Sequence, residues 1–260
     1  MLTSAQHAMM TISPESNPYD EYYFQHSCGR PYQRDDEWLQ FFGGIADRIV
    51  SEIQPITVLD AGCVMGFLVE GLRNLGVEAY GVNVSKYAIE NVYPGIREYC
   101  WQGSIVEPFP RSYDLIVSIE VFEHKDPEDA EAAARNLCNH TDDIIFSSTP
   151  FDYKEATHFN VRPPEYWSEL FAKQGFFRDV DFDATFITDW AVRYRRVDAP
   201  LHRHVRNYER KYWLLWKETS DLLALVNDMR QEIVSLDQQS RFADLNKKDD
   251  VSIVGGEVDE

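Results

Sequence analysis

Thr57-Val58-Leu59-Asp60-Ala61-Gly62-Cys63-Val64-Met65-Gly66-Phe67-Leu68 is the stretch that decides the fold. A short apolar run ends at an acid, a turn flanked by Gly62 and Gly66 follows, and apolar residues resume at Phe67 and Leu68. That order predicts a buried strand, a tight turn and a helix. In an open α/β sheet, the carboxyl end of such a strand is where a ligand binds. Gly62 and Gly66 permit the turn and let backbone approach a ligand closely. A dinucleotide site would carry a third glycine and seat a pyrophosphate on the helix N-terminus. Here two glycines occur, with Asp60 just before them, which disfavours a nicotinamide oxidoreductase.

Outward from this stretch the chain alternates strand and helix, as a doubly wound, mostly parallel α/β sheet does. Strands are expected at 57–61, 79–84, 98–102, 113–119 and 144–148, and helices at 66–75, 86–93, 127–139 and 164–173. The run Leu115-Ile116-Val117 suits a strand buried on both faces. Asp126-Pro127-Glu128 supplies a cap, a first-turn proline and an acid at the positive dipole end, and Gly175 can close the helix before it. Residues 176–186 and 190–196 read as two closing antiparallel strands. Upstream, Trp38, Phe41, Phe42, Ile45, Ile49 and Ile53 recur at helical spacing over 35–53.

The flanks differ in character. Residues 1–18 are polar with Pro14 and Pro18, a loose arm, and Tyr19, Tyr22, Tyr23, Phe24, Tyr32 and Trp38 then crowd together as an aromatic flap. The expected divisions are an arm and flap over 1–34, the α/β domain over 35–198, a long helix within 199–240 and a disordered acidic tail over 241–260. In the long helix Thr219, Leu222, Val226, Met229, Ile233 and Leu236 step by three then four, the a/d seam of a coiled coil. A homodimer through that seam and a helix lying on its own domain both remain open.

At 260 residues and 44% hydrophobic, the chain can build one sizeable core plus appendages, or two small domains. Lys and Arg total 25 against 44 Asp and Glu, a net charge of -19 that repels phosphate backbones and argues against nucleic acid. Cys28, Cys63, Cys100 and Cys138 lie far apart, which fits reduced thiols and shows no metal cluster. No signal peptide or apolar span is visible, so a cytoplasmic protein without a membrane span is expected.

With Asp60, Gly62 and Gly66 in place, the stretch resembles motif I of the class I S-adenosylmethionine-dependent methyltransferases, whose middle glycine is Val64 here. Residues 113–124, ending Ile119-Glu120-Val121-Phe122-Glu123-His124, are similar to the family's fourth strand and its exit. The resemblance covers about residues 35–196. It is closest to a bacterial branch often found beside or fused to glycosyltransferases, with Cys28-Gly29-Arg30-Pro31-Tyr32 before the core and 160–167 after it. It implies a Rossmann-like sheet with an antiparallel final strand, and S-adenosyl-L-methionine as cofactor. The implied cofactor residues are Asp60, Gly62, Cys63, Gly66, Phe67, Asn83, Val84, Ser104, Ile105 and Glu120. Arg30 and Arg34, with Tyr22, Tyr23 and Tyr32, are expected to close the front of the pocket and pair with the methionine carboxylate, and a flap that is merely packed core is the competing view. Asn83 and Ser104 stand where the family usually has acids for the ribose and the adenine amino group. Both keep hydrogen-bonding capacity without the charge.

Methyl transfer from a sulfonium chiefly needs the acceptor held in line with the methyl, and a base matters only if the acceptor must lose a proton. His158 is the favoured base, while His124 reads as positioning or cofactor-facing. Asp152, Tyr153 and Arg162 are expected on the acceptor side. A small-molecule or glycan hydroxyl is the expected acceptor, the glycan on the branch resemblance alone. The rival reading is a catalytically inactive adenosyl-binding scaffold that oligomerises through its C-terminal helix.

Overall fold

The computed structural model describes residues 18–253. The expected loose arm, apart from Pro18, and the end of the expected tail lie outside them. The chain divides after Asp198 into two units.

The first unit holds seven strands: β1 (Thr57–Ala61), β2 (Glu78–Asn83), β3 (Cys100–Gln102), β4 (Leu115–Ile119), β5 (Asp143–Ser147), β6 (Phe176–Arg178) and β7 (Val192–Arg196). Their order is β3-β2-β1-β4-β5-β7-β6. β1 to β5 pair in parallel, and β7 runs antiparallel to both β5 and β6. The sheet therefore reverses its winding at β1 and β4, the switch point where the tips of the two strands leave a crevice.

The helices are α1 (Glu21–His26), α2 (Asp36–Glu52), α3 (Phe67–Asn74), α4 (Lys86–Glu90), α5 (Pro127–His140) and α6 (Pro164–Ala172). Alternation along the strands sorts their side chains to two faces. Leu59, Ala61, Ile116, Ile144 and Phe146 pack with Ala130, Ala133 and Leu137 of α5 and Trp167 and Phe171 of α6. Val58, Leu115, Val117 and Ile145 pack instead with Ile45 and Ile49 of α2 and Leu68, Val69 and Leu72 of α3.

Some boundaries differ from those the sequence suggests. The expected strand over 176–186 stops at Arg178. Beyond it the Asp179 and Asp183 carboxylates accept from the backbone N–H of Asp181 and Thr185, so turns replace the ladder while Phe182 and Phe186 still pack inward. The helix from Lys86 ends at Glu90, short of Pro94. A 3-10 turn over Arg97–Tyr99 takes the first part of the expected third strand. Asp126 sits at the cap position of α5 but makes no side-chain cap bond; its carbonyl accepts from the Ala130 N–H at 2.8 Å.

The second unit is described through one helix, α7 (Leu201–Ile253). It follows Pro200 and meets no proline or glycine before Gly255. The helix runs on past 240, where the sequence reading ends it, and nothing up to 253 interrupts it. Leu222, Val226, Met229, Ile233 and Leu236 of the expected seam are 42–63% exposed.

Candidate functional site

The turn after β1 is unusual for three consecutive reasons. Gly62 and Gly66 have φ of 115° and 75°, and Val64, a β-branched residue, has φ of 48°. Left-handed backbone at a β-branched residue is strained and persists only where its surroundings enforce it. Both Gly62 and Cys63 donate backbone N–H bonds to the Val82 carbonyl, at 2.9 and 3.1 Å, which folds the turn onto the end of β2. A Cβ on Gly62 would fall 2.3 Å from Val121 Cγ2, so the loop after β4 occupies the space that the glycine leaves. Glycine is required at position 62 by the neighbour as well as by the angle.

Asp60 is 6% exposed, and burial pushes its carboxyl up to about 7. Tyr32 of the flap is buried against Phe67 with ring centroids 5.0 Å apart, and its hydroxyl is raised first by burial and then by the Asp60 charge. Cys63 is buried, and all four cysteines are free thiols. At the tip of β2, Asn83 Oδ1 accepts from the Ser85 N–H at 2.8 Å, leaving the amide nitrogen as the group with a proton to offer. The Val84 carbonyl accepts from Gln102 Nε2. Ser104 Oγ accepts from the Val106 N–H, and the Ile105 carbonyl accepts from Asn136 Nδ2 at 2.9 Å. Both acceptors near the tip of β3 are therefore already engaged.

Arg30 and Arg34 are placed otherwise than expected. Arg30 pairs with Asp35 at 2.6 Å and with Glu37, and its guanidinium lies over Trp38, so it serves the start of α2. Arg34 pairs with Glu70 at 2.6 Å and lies over Tyr93.

The loops after β4 and β5 meet. Glu120, with φ of 52°, leaves β4 in a left-handed conformation and its Oε1 accepts from Trp190 Nε1 at 2.9 Å. A 3-10 turn over Phe122–His124 follows, and the Glu123 carbonyl accepts from the Asn160 N–H at 3.0 Å. The His124 and His158 rings are 4.5 Å apart at 67°. His124 Nδ1 lies 2.9 Å from Thr157 Oγ1 and 3.2 Å from the Thr157 carbonyl, and Thr157 Oγ1 donates onward to Glu155. His158 Nδ1 lies 2.9 Å from the Asp152 carbonyl. Carbonyls only accept, so each Nδ1 carries a proton, and in a neutral ring the lone pair is then at Nε2. Burial, and secondarily the neighbouring His158, push His124 down to about 4.

Tyr19 donates geometry from above. Its carbonyl accepts from Ser85 Oγ beyond β2 at 2.6 Å, while its ring stands edge-on to His124 at 5.6 Å. The flap thus bridges the tips of β2 and β4. Among the expected acceptor-side residues, Asp152 contributes its carbonyl to His158. Tyr153 is 71% exposed, and Arg162 holds Asn160 Oδ1 at 2.8 Å.

Glu123 had no role in the sequence reading. It is wholly buried, and neither carboxylate oxygen has a hydrogen-bond partner. Burial, then the nearby Glu120, raise its carboxyl well above the usual range. Glu155 and Thr157 join the site through the path of one loop, Thr157 by its contact with His124 and Glu155 by accepting from Thr157. The Glu123-His124 pair was the only signal available.

A family model described as "Methyltransferase domain" matches residues 32–177. Among solved structures, the chain is similar to a magnesium protoporphyrin IX methyltransferase from Synechocystis PCC 6803 with bound S-adenosylhomocysteine, at 17% identity and a TM-score of 0.51, over 61% of this chain and 83% of that one. It is also similar to an O-methyltransferase of a trans-AT polyketide synthase multienzyme of Brevibacillus brevis, at 14% identity and a TM-score of 0.47, over 63% of this chain and 73% of that one. No curated protein sequence matches.

Proposed function

The chain belongs to the methyltransferase-domain family, and on that premise we propose that it binds S-adenosylmethionine across the tips of β1 to β4 and methylates a hydroxyl of a small molecule or glycan. The observation that carries this reading is the turn over 62–66 at the carboxyl end of β1, where two left-handed glycines and a strained Val64 fold the backbone tightly beside the buried Asp60. A tight backbone turn at the switch point of the sheet, next to a buried carboxyl, fits an adenosyl group approaching the backbone closely. Asn83 would offer its amide N–H to a ribose oxygen. Tyr32 would close the methionine side, with no arginine beside it. When bound, the sulfonium supplies an activated methyl group for in-line displacement.

In this reading the acceptor enters on the side of the loops after β4 and β5. His158 is oriented by the Asp152 carbonyl, and its Nε2 lone pair would take the acceptor proton; His124 positions the loop through Thr157. Neither role needs a charged imidazole in the resting state. A glycan is the first acceptor class to screen, on the branch resemblance. Pairing of two copies through the exposed seam of α7 belongs to the same reading.

Calorimetric titration with S-adenosylmethionine and S-adenosylhomocysteine tests it, with an Asp60→Ala variant alongside. Binding by the parent chain and loss in the variant supports the site, and absence of binding by the parent chain overturns it. Asn83 and Ser104 in place of acids favour one second reading, an adenosyl-binding scaffold without turnover. Cofactor binding with no transfer to any acceptor would support that one.

A further inference from the structure

We propose that Glu123, His124 and His158 form a binding site for a divalent first-row transition metal ion. One ligand atom from each of the three lies within 4.8 Å of the others. Ligands about 2.1 Å from a tetrahedral ion stand roughly 3.4 Å apart, so small rotamer changes would close the set. The sequence concealed it, because His158 lies in a different loop.

Three separate features of the cluster point to a cation. First, Glu123 is 0% exposed and both its oxygens lack hydrogen-bond partners. A buried carboxyl without a partner stays neutral by keeping its proton, and a bound cation is the charge that would let it ionise. Second, the two imidazoles are set as ligands. Each Nδ1 is fixed by a backbone carbonyl, Thr157 for one and Asp152 for the other, which leaves each Nε2 lone pair available. Two neutral rings would otherwise crowd without a shared hydrogen bond. Third, an outer carboxylate supports His124: Glu155 accepts from the Thr157 hydroxyl, which in turn can accept from His124 Nδ1. Edge-on Tyr19 and Tyr23 rings, 5.6 and 6.3 Å from His124, shield the cluster from water.

Two imidazole nitrogens and one carboxylate favour zinc, cobalt, nickel, iron or manganese over magnesium or calcium. Three protein ligands leave a coordination position open, as in sites that bind a substrate oxygen. The site itself stands apart from the methyltransferase reading; only the assignment of an acceptor oxygen to its open position rests on that reading. The metal and base roles exclude each other at His158 Nε2.

The test uses the full chain, stripped with a chelator and titrated with Co2+, whose visible absorption bands report ligation directly. Saturable bands at equimolar ion are expected. Affinity should fall at least about tenfold in Glu123→Gln and in His158→Ala, and stay unchanged in His26→Ala, whose ring stacks on Tyr22. Circular dichroism confirms that each variant is folded, and Glu123→Gln, which keeps the side-chain shape, guards against a folding defect in His158→Ala. Absence of bands in the parent chain, or equal affinity in folded Glu123→Gln, overturns the proposal. Calorimetry with S-adenosylhomocysteine on the same stripped protein separates the two readings. Cofactor binding without cobalt bands returns His158 to the role of base, and cobalt bands without cofactor binding leave the metal site standing while the methyl-transfer reading fails.

Discussion

At the scale of single residues, Asp60 connects the site to stability. Burial raises its carboxyl from 3.8 to about 7, so the folded chain holds that proton more tightly than the unfolded chain does. The stability it contributes is complete below 3.8 and is lost as pH rises through about 7. At roughly 1.4 kcal/mol per pKa unit, the loss is on the order of 4 kcal/mol. Asp60→Asn should remove this dependence. Urea unfolding at pH 5 and pH 8 should show the parent chain losing more stability with rising pH than the variant does; equal changes in the two would contradict the account. Gly62 gives a second expectation. Gly62→Ala forces a Cβ to 2.3 Å from Val121 Cγ2 at a φ of 115°, and it should cost about 2 kcal/mol or more and displace the turn. Unchanged thermal unfolding in that variant would mean the loop after β4 yields more easily than its packing suggests. Both positions were legible in the sequence as a motif, whereas the reason for each, burial in one case and Val121 in the other, was not.

At the scale of elements, α2 depends on its first turn. Asp35 accepts from the Trp38 N–H at 3.0 Å and from Arg30 at 2.6 Å, with Asp36 and Glu37 complementing the dipole. Asp35→Ala should destabilise the chain by about 1 kcal/mol in chemical denaturation, because it leaves cap donors unsatisfied. A change within error would show that packing of Ile45 and Ile49 alone sets this helix. Most elements were readable because their signals are local: alternation in β1 and β4, helical spacing in α2, Pro127 opening α5. The strand expected over 176–186 failed for an equally local reason. Its polar positions are aspartates that bond the backbone two residues on, and that competes with a sheet ladder while preserving the apolar alternation. The partner of Arg34 was set by the tertiary structure. Glu70, which holds Arg34, is 36 residues away in sequence.

At the scale of the whole molecule, the seam of α7 carries a prediction about assembly. Leu222, Val226 and Met229 are each at least 42% exposed along one a/d line, and two copies pairing there would cover them. Leu222→Lys combined with Val226→Lys should halve the mass seen by light scattering; an unchanged mass in the variant would rule out pairing by this face. No helix among the described residues is long and apolar enough to cross a membrane. The sequence by itself determined the alternation of strand and helix and the glycine turn after β1, because strand period, helix period and turn chemistry are written within a dozen residues; the strand order, and with it the switch point between β1 and β4, was decided by the tertiary structure. Only the tertiary structure decided which side chains share the site. Parallel pairing of β4 with β5 brings the two strand tips side by side, and the loop that follows carries His158 back to Glu123 and His124. Burial of Glu123 and the orientation of both imidazoles come from residues contributed by separate loops, and such convergence leaves no local pattern to read.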